Sequence, residues 1–196
     1  MATWSGDRER FDSKFTEVAS VEEKRNAVLA ANQHGWNALH FAAVYDRRAE
    51  MKEMLEVCPD LAATPNLQGW RPLHYAAGFG QTEIIDLLLL HGARLDCTND
   101  IAAEYKGYTP LHRAFRWWLD PNKPNAISHL LTIGADPTLT DARGNTPVDL
   151  TADSTCGPAI ARLAEAHAAG NAAADLERQN PETRRRLREF AAAAAN

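Results

Sequence analysis

Residues 107–115 read GYTPLHRAF, and close copies of this stretch recur along the chain. Earlier copies read GWNALHFAA at 35–43 and GWRPLHYAA at 69–77, and a shorter fourth copy reads GNTPVDL at 144–150. The first glycines of successive copies lie 34, 38 and 37 residues apart. A repeat of this length predicts a solenoid, in which each unit packs against its neighbours, and it favours a binding scaffold over an enzyme.

A second half-motif follows the first in three of the units. Residues 80–93 read GQTEIIDLLLLHGA, residues 130–136 read LLTIGAD, and residues 54–60 give a degenerate version, MLEVCPD. Together the two halves resemble the ankyrin repeat over roughly residues 32–168. The resemblance implies an all-α repeat solenoid in which each repeat contains a helix-turn-helix and a β-hairpin loop.

Local chemistry supports the same fold. Pro72 and Pro110 stand where a helix would begin, because the first turn of a helix does not use the N–H that proline lacks. Leu39, Leu73 and Leu111 then fall on one face of each helix, and the alanines beside them let neighbouring helices approach closely. A single repeat cannot bury this face, so we expect stacked repeats to form one continuous core.

The repeats define the predicted domain organisation. An ankyrin-repeat domain at 1–169 comprises a helical N-terminal cap at 7–31 and repeats at about 32–65, 66–98, 99–140 and 141–168, and a helical tail follows at 170–196. The fourth repeat ends the stack, since Asp149 replaces the motif histidine. Residues 180–182 of the tail read NPE, which is typical of a helix start, and we expect a helix at 181–195.

The third repeat carries two insertions. Residues 100–106 lengthen its hairpin loop, and residues 117–125 replace the tight turn between its two helices. Insertions in a solenoid lie in loops and often flank a binding face. We therefore expect both segments, with Tyr105 in the first of them, to border a binding groove.

Composition and charge argue against several classes of function. The chain has 196 residues and a formal net charge of -5, so we expect no nucleic-acid binding. The longest near-uninterrupted apolar run, at 84–90, is too short to predict a membrane span, and the charged residues 7–10 predict no signal peptide. Cys58, Cys97 and Cys156 are odd in number and widely spaced, which favours free thiols in a reducing compartment. These observations predict an intracellular protein, cytoplasmic or nuclear, that is a monomer and needs no cofactor.

The recurring histidines are the first candidates for chemistry. His40, His74 and His112 occupy one motif position, and a row of metal ligands would give this pattern. The resemblance instead implies a structural role, in which each histidine bonds backbone within its own hairpin. The other histidines lack metal-ligand spacing, and no nucleophile, phosphate-loop or zinc-protease motif is present. We therefore expect no catalytic site and no metal site.

The aromatic side chains provide the candidate site. In ankyrin proteins the partner usually binds the hairpin fingertips and the exposed side of each first helix. Aromatic residues stand at both places in three repeats, and we expect one contiguous, partly exposed surface, although rings that only stack between repeats would give the same pattern. The predicted partner-binding residues are Trp36, Tyr45, Trp70, Phe79, Tyr105, Tyr108 and Trp117.

The main functional hypothesis is non-catalytic binding of a protein or peptide through this concave aromatic surface. A second hypothesis is a reader of methylated lysine or a similar cation, which requires rings that converge on one pocket with a carboxylate nearby. The groups predicted for that cage are Trp36, Tyr45, Trp70, Phe79 and Asp46. A third hypothesis, a small-molecule binding protein or an enzyme, requires a deep pocket, which a solenoid rarely offers.

Overall fold

The computed structural model describes residues 26, 29–117 and 125–151, and this part of the chain contains helices and no strand. Its six α-helices form three pairs: α1 (Ala38–Tyr45) with α2 (Arg48–Val57), α3 (Pro72–Phe79) with α4 (Thr82–Leu90), and α5 (Pro110–Arg116) with α6 (Asn125–Thr132). Short 3-10 helices lie at Pro59–Ala63, Ala103–Tyr105 and Val148–Thr151. The predicted all-α repeat architecture is confirmed.

The helices pack in two layers. The first helices of the pairs, α1, α3 and α5, contact one another in chain order. The second helices, α2, α4 and α6, do the same, and the two helices within each pair are also in contact. Each repeat therefore packs mainly against the repeat before it and the repeat after it, which is the arrangement of a solenoid.

Each first helix begins directly after a capping residue. Helices α3 and α5 start at Pro72 and Pro110, as predicted, and Thr109 Oγ1 accepts the backbone N–H of His112 (3.3 Å). Helix α1 lacks the proline, and the Asn37 side chain accepts N–H groups of its first turn. A polar cap satisfies amide groups that the first turn leaves unpaired, and proline removes one of them.

The core runs through all three helix pairs. Leu39, Leu73 and Leu111 are almost completely buried, as predicted, and belong to one cluster with Leu55 of α2 and Leu88 of α4. Burying a leucine side chain stabilises the fold by about 1.5–3 kcal/mol. Because these leucines come from successive repeats, stacking of the repeats supplies the core that no single repeat could form.

An asparagine or aspartate closes each hairpin tip. Asn66 Oδ1 accepts the backbone N–H groups of Gln68 (3.0 Å) and Trp70 (2.9 Å), and the Asn66 N–H donates to the Trp70 carbonyl (2.8 Å). Short polar side chains of this kind bond to backbone two to four residues on and so stabilise a turn. Side-chain bonds of the same kind form at Asn32, Asn99 and Asp141. These four residues were not predicted from the sequence.

Successive hairpin tips are bonded to one another. The Leu67 N–H donates to the His34 carbonyl (3.1 Å), and Asn99 Nδ2 donates to the Gln68 carbonyl (2.9 Å). Gly69 has φ +83°, and a Cβ at this position would overlap Asn99 Oδ1. Glycine is therefore needed here both for the backbone conformation and for the approach of the next tip. The motif glycines lie in successive tips stacked on one edge, as predicted.

Several predicted features lie outside the residues that the structure describes. They are most of the N-terminal cap at 7–31, residues 118–124, the second helix of the fourth repeat, Cys156 and the tail at 170–196. The division of the chain into a domain at 1–169 and a tail therefore stays a prediction. Residues 103–105 of the first insertion are described and form a 3-10 helix.

Candidate functional site

The three motif histidines join each repeat to the next. His40 Nδ1 accepts the Asn37 N–H (3.2 Å), so its Nε2 carries the proton and donates to the carbonyl of Trp70 in the following repeat (3.0 Å). His74 and His112 repeat this arrangement. The expected structural role is confirmed. The expected geometry needs correction, because the Nε2 bond crosses between repeats and does not stay within one hairpin.

Burial keeps these imidazoles neutral. It lowers the pKa of His40 to about 4 and the pKa of His74 to about 3, and it also lowers the pKa of His112. Removal from water disfavours the charged form of the ring. Within the described ranges, no group of three histidine, cysteine or acidic side chains could hold a metal ion. Both nitrogens of each motif histidine are occupied by backbone hydrogen bonds.

The aromatic residues that follow the motif glycines are more buried than expected. Trp70 and Tyr108 are each 4% exposed, whereas Trp36 is half-buried. The expectation of a partly exposed fingertip is wrong for Trp70 and Tyr108. Their rings turn inward and pack against the imidazoles of His74 and His112, each with a centroid distance of 5.3 Å. Such contacts between rings are favourable, which gives the inward orientation a physical reason.

Rings of the second and third repeats form an aromatic cluster, which we define as Trp70, Tyr105, Tyr108 and Trp117. The Trp70 ring centroid lies 5.3 Å from that of Tyr105, 6.0 Å from Trp117 and 6.3 Å from Tyr108. Tyr105 also contacts Tyr108 (5.3 Å) and Trp117 (5.6 Å). Tyr105 and Trp117 are half-buried, so the cluster has a buried side and a solvent-facing side.

A guanidinium group lies against this cluster. The Cζ atom of Arg113 is 4.2 Å from the ring centroid of Trp70, 4.6 Å from that of Trp117 and 4.1 Å from that of Tyr75. Tyr75 in turn contacts Trp36 of the first repeat (4.5 Å). Arg113 therefore contacts rings of the second and third repeats, and Tyr75 extends these contacts to Trp36 of the first repeat. We call the continuous set formed by Trp36, Tyr75, Arg113 and the aromatic cluster the aromatic layer.

Arg113 was not predicted as a site residue. It is 6% exposed, and none of the described residues accepts a hydrogen bond from its Nε or Nη1. Burial lowers the pKa of Arg113 to about 10, and Tyr75 and Tyr105 act in the opposite direction. A usable signal was present in the sequence, since Arg113 fills the motif position that holds Phe41 and Tyr75 in the preceding repeats.

A comparison with known families agrees with this geometry. The family described as Ankyrin repeats (3 copies) matches residues 18–99 and 49–141, which together span more than half of the chain. The chain belongs to the ankyrin-repeat family. Ankyrin repeats are generally protein–protein interaction modules and are typically non-catalytic. A comparison with curated proteins gives no significant match. Among the helices of the described residues, none has the length and apolar character needed to cross a membrane.

The structure brings five of the seven predicted ankyrin contact residues into the aromatic layer. These are Trp36, Trp70, Tyr105, Tyr108 and Trp117. The remaining two lie at the ends of first helices. Phe79 ends α3 and is 41% exposed, and Tyr45 ends α1 and is half-buried.

Two of the groups predicted for a cation cage already have partners within this ankyrin domain. Arg113 lies over the ring of Trp70, so that ring already carries a cation of the chain itself. Asp46 Oδ2 accepts a hydrogen bond from Arg48 Nη2 (2.9 Å), and Arg48 Nη1 also pairs with Glu83 (2.7 Å). Because a cage needs rings and a carboxylate that remain available to a ligand, this arrangement does not favour the second hypothesis.

Two exposed apolar residues at the hairpin tips were also missed. Leu67 follows Asn66 directly, and Ile101 lies two residues after Asn99; both side chains are exposed. Each stands alone in a polar loop, so hydrophobic periodicity gives no signal for it. Their place at the fingertips makes them accessible to a partner that approaches the tips.

Proposed function

We propose that this ankyrin chain is a non-catalytic module that binds a protein or peptide partner through the aromatic layer. The observation that carries the proposal is the run of contacts across three repeats, from Trp36 through Tyr75 and Arg113 to Trp117. Aromatic and arginine side chains are enriched at the energetically dominant positions of interfaces. The proposed binding residues are Trp36, Trp70, Tyr105, Tyr108 and Trp117 of this layer, together with Tyr45 and Phe79 at the ends of the first helices.

The burial of Trp70 and Tyr108 gives these two residues a supporting role in the proposal. Their side chains are largely inaccessible, but their rings pack against Tyr105 and Trp117, which are half-buried. Rings held in this way are already ordered before a partner arrives. Binding then costs little additional side-chain entropy, which favours affinity.

The absence of catalysis is part of the same proposal. The motif histidines His40, His74 and His112 use both ring nitrogens in hydrogen bonds to backbone, so they are not available as a general base. Intracellular location, monomeric state and the lack of nucleic-acid binding remain predictions from composition.

The test is a selection of peptides from a random display library against the full chain. The affinity of a selected peptide is then measured by calorimetry for Phe79→Ser and Trp117→Ser, with Glu56→Ser on the exposed side of α2 as the control. We expect a loss of at least about 2 kcal/mol for Trp117→Ser, the scale of an interface hot spot. We expect a smaller loss for Phe79→Ser and no change for Glu56→Ser.

Melting curves of the same variants separate binding from folding. Phe79 is 41% exposed and lies at the end of α3, so Phe79→Ser should lower the melting temperature less than a change at a fully buried ring would. Selected peptides that bind all three variants with wild-type affinity would show that the aromatic layer is not the binding surface.

A further inference from the structure

Arg113 is a buried cation held by rings. Its Cζ lies 4.1–4.6 Å from the ring centroids of Trp70, Tyr75 and Trp117. The groups that raise its pKa are two tyrosines, Tyr75 and Tyr105. Ring faces attract a guanidinium, but they do not replace the oxygen acceptors that its N–H groups have in water.

Two donors of this guanidinium have no acceptor among the residues that the structure describes. Nε and Nη1 of Arg113 are buried, and no described residue accepts a hydrogen bond from either. The Tyr75 hydroxyl is the oxygen that hydrogen-bonds to the Arg113 side chain, and it also accepts a hydrogen bond from Asn66 Nδ2 (3.0 Å). A buried donor without an acceptor is unfavourable, and the penalty is larger for a charged group. The arrangement is therefore incomplete without a further oxygen acceptor.

We propose that Arg113 receives a carboxylate of the partner, from an aspartate or glutamate side chain that enters the aromatic layer beside Trp117. This inference rests on the proposed function, and it names the chemistry that the partner supplies. A carboxylate matches the planar fork of a guanidinium, since its two oxygens accept two parallel N–H bonds and its charge neutralises the buried cation.

The route to the guanidinium is set by the three rings that surround it. Trp70 and Tyr75 are buried, whereas Trp117 is half-buried, so the solvent side of Arg113 lies at Trp117. Trp117 is the residue that caps the C-terminus of α5, so it lies beyond the last full turn of that helix. Trp117 is the least buried of the three rings, so a carboxylate would approach the guanidinium from this side.

Charges at the rim of the cluster are mixed. Burial raises the pKa of Tyr105 and of Tyr108; Glu104 adds to the rise at Tyr105 and Asp141 at Tyr108, whereas Arg116 opposes it at both phenols. The rim therefore has no strong charge of one sign that would collect anions in general. Selectivity for a carboxylate then depends on Arg113 alone, which makes a single substitution informative.

A first experiment observes Arg113 directly. In the full chain labelled with 15N, the Nε–H signal of Arg113 is assigned by its loss in Arg113→Met. Sodium acetate is the probe carboxylate, and sodium chloride at the same concentration is the control. We expect acetate, and not chloride, to shift this signal along a saturable curve. A shift no larger with acetate than with chloride would overturn the proposal.

A second experiment compares the peptides that a random display library yields with the wild type and with Arg113→Met. Methionine keeps most of the apolar volume, and a melting curve reports whether the variant is folded. Peptides selected by the wild type should carry aspartate or glutamate at one fixed position and bind Arg113→Met at least about 10-fold more weakly. Enrichment of lysine or arginine at that position would instead contradict the inference.

The outcomes distinguish this inference from the proposed function. If selected peptides lack an acidic residue at a fixed position but lose affinity for Trp117→Ser, the aromatic layer binds peptides and the carboxylate inference is wrong. If Trp117→Ser and Arg113→Met both bind with wild-type affinity, or if no peptide is enriched, both proposals fail. In that case Arg113 has a purely structural role among the rings.

Discussion

The Nε2 atom of His74 lies 3.0 Å from the carbonyl oxygen of Tyr108 in the next repeat. The same imidazole accepts the N–H of Arg71 through Nδ1 (3.2 Å), at the start of α3. One side chain thus fixes both the beginning of a helix and the position of the following hairpin. Because the equivalent bonds form at His40 and His112, the spacing of the repeats is set by buried hydrogen bonds as well as by apolar packing.

Replacing His74 with phenylalanine is expected to lower the free energy of unfolding by about 2–6 kcal/mol. The ring volume is kept, but the Tyr108 carbonyl and the Arg71 N–H lose their partners, at about 1–3 kcal/mol each. Urea unfolding measures the change. His34→Phe is the control, since His34 is exposed, and should shift the unfolding free energy by no more than about 0.5 kcal/mol. An unchanged midpoint for His74→Phe would show that the inter-repeat bond contributes nothing.

Stability is expected to fall on mild acidification. The pKa of His40 is lowered to about 4 and that of His74 to about 3, below the value of about 6.5 in an unfolded chain. Between these values the unfolded state binds more protons than the folded state. The contribution of each neutral imidazole to the free energy of unfolding is therefore fully present above about pH 6.5. It is lost as the pH falls, and at pH 5 the loss is about 2 kcal/mol per histidine.

The pH effect can be assigned to these histidines by urea unfolding at several pH values between about 7.5 and 5. His74→Phe should lose roughly half of the dependence, because one of the two strongly shifted groups is gone. A wild-type unfolding free energy that is constant over this range would contradict the lowered pKa values, because the folded and unfolded states would then bind the same number of protons.

Leu73→Ala is expected to destabilise the chain by about 2–5 kcal/mol, because it leaves a cavity at the centre of the core. Leu67→Ala removes the same atoms from an exposed hairpin tip and should change the unfolding free energy by less than about 0.5 kcal/mol. Denaturant midpoints of the two variants give the comparison. Equal losses would contradict the assignment of Leu73 to the core.

Alanine substitutions at two glycines separate backbone strain from steric overlap. Gly69 and Gly92 both have positive φ, +83° and +89°, but a Cβ at Gly92 would meet no atom within 4 Å, whereas at Gly69 it would overlap Asn99 Oδ1. Gly92→Ala should cost about 1–2 kcal/mol from strain alone. Gly69→Ala should cost distinctly more in thermal unfolding. The reverse order would show that the hairpin tips move apart easily.

The Cys97 thiol is expected to be inert in the native protein. Burial raises its pKa to about 12, so almost no reactive thiolate is present near neutral pH. Alkylation by iodoacetamide, followed by mass spectrometry, should be at least about 100-fold slower in buffer than in denaturant. Cys58 is also buried and should be protected in the same way. Fast native alkylation of Cys97, or a disulfide in the non-reduced protein, would contradict this expectation.

Much of the scaffold follows from the repeated motif alone. The prolines at 72 and 110 set helix starts through local backbone chemistry, and Leu39, Leu73 and Leu111 are buried because each stands at the same position of a stacked unit. Local rules of this kind act within one helix or between identical neighbours. The helix starts and the buried leucines could therefore be predicted from residue types and spacing.

The arrangement of the site depends on contacts that spacing does not give. Trp70 follows a motif glycine and was expected at a fingertip, but its ring turns toward His74 and the guanidinium of Arg113. Whether the Trp70 ring has room to pack inward depends on side chains from two repeats. The sequence shows that Arg113 replaces an aromatic residue at its motif position, but its contacts with three rings depend on the packing of two repeats, which spacing does not give.

The series of inter-repeat histidine bonds does not continue at position 149. Asp149 stands where the other repeats have histidine, and its Oδ2 accepts both the N–H and the hydroxyl of Thr146 (2.7 Å each). These hydrogen bonds lower the pKa of Asp149, so the carboxylate stays ionised and has no proton to donate onward. If a repeat were inserted before the fourth, its backbone carbonyl could accept the hydrogen bond that His112 Nε2 donates. A carbonyl placed opposite Asp149 would face a carboxylate, two acceptors with no hydrogen between them, so position 149 cannot make the inter-repeat bond that the motif histidines make.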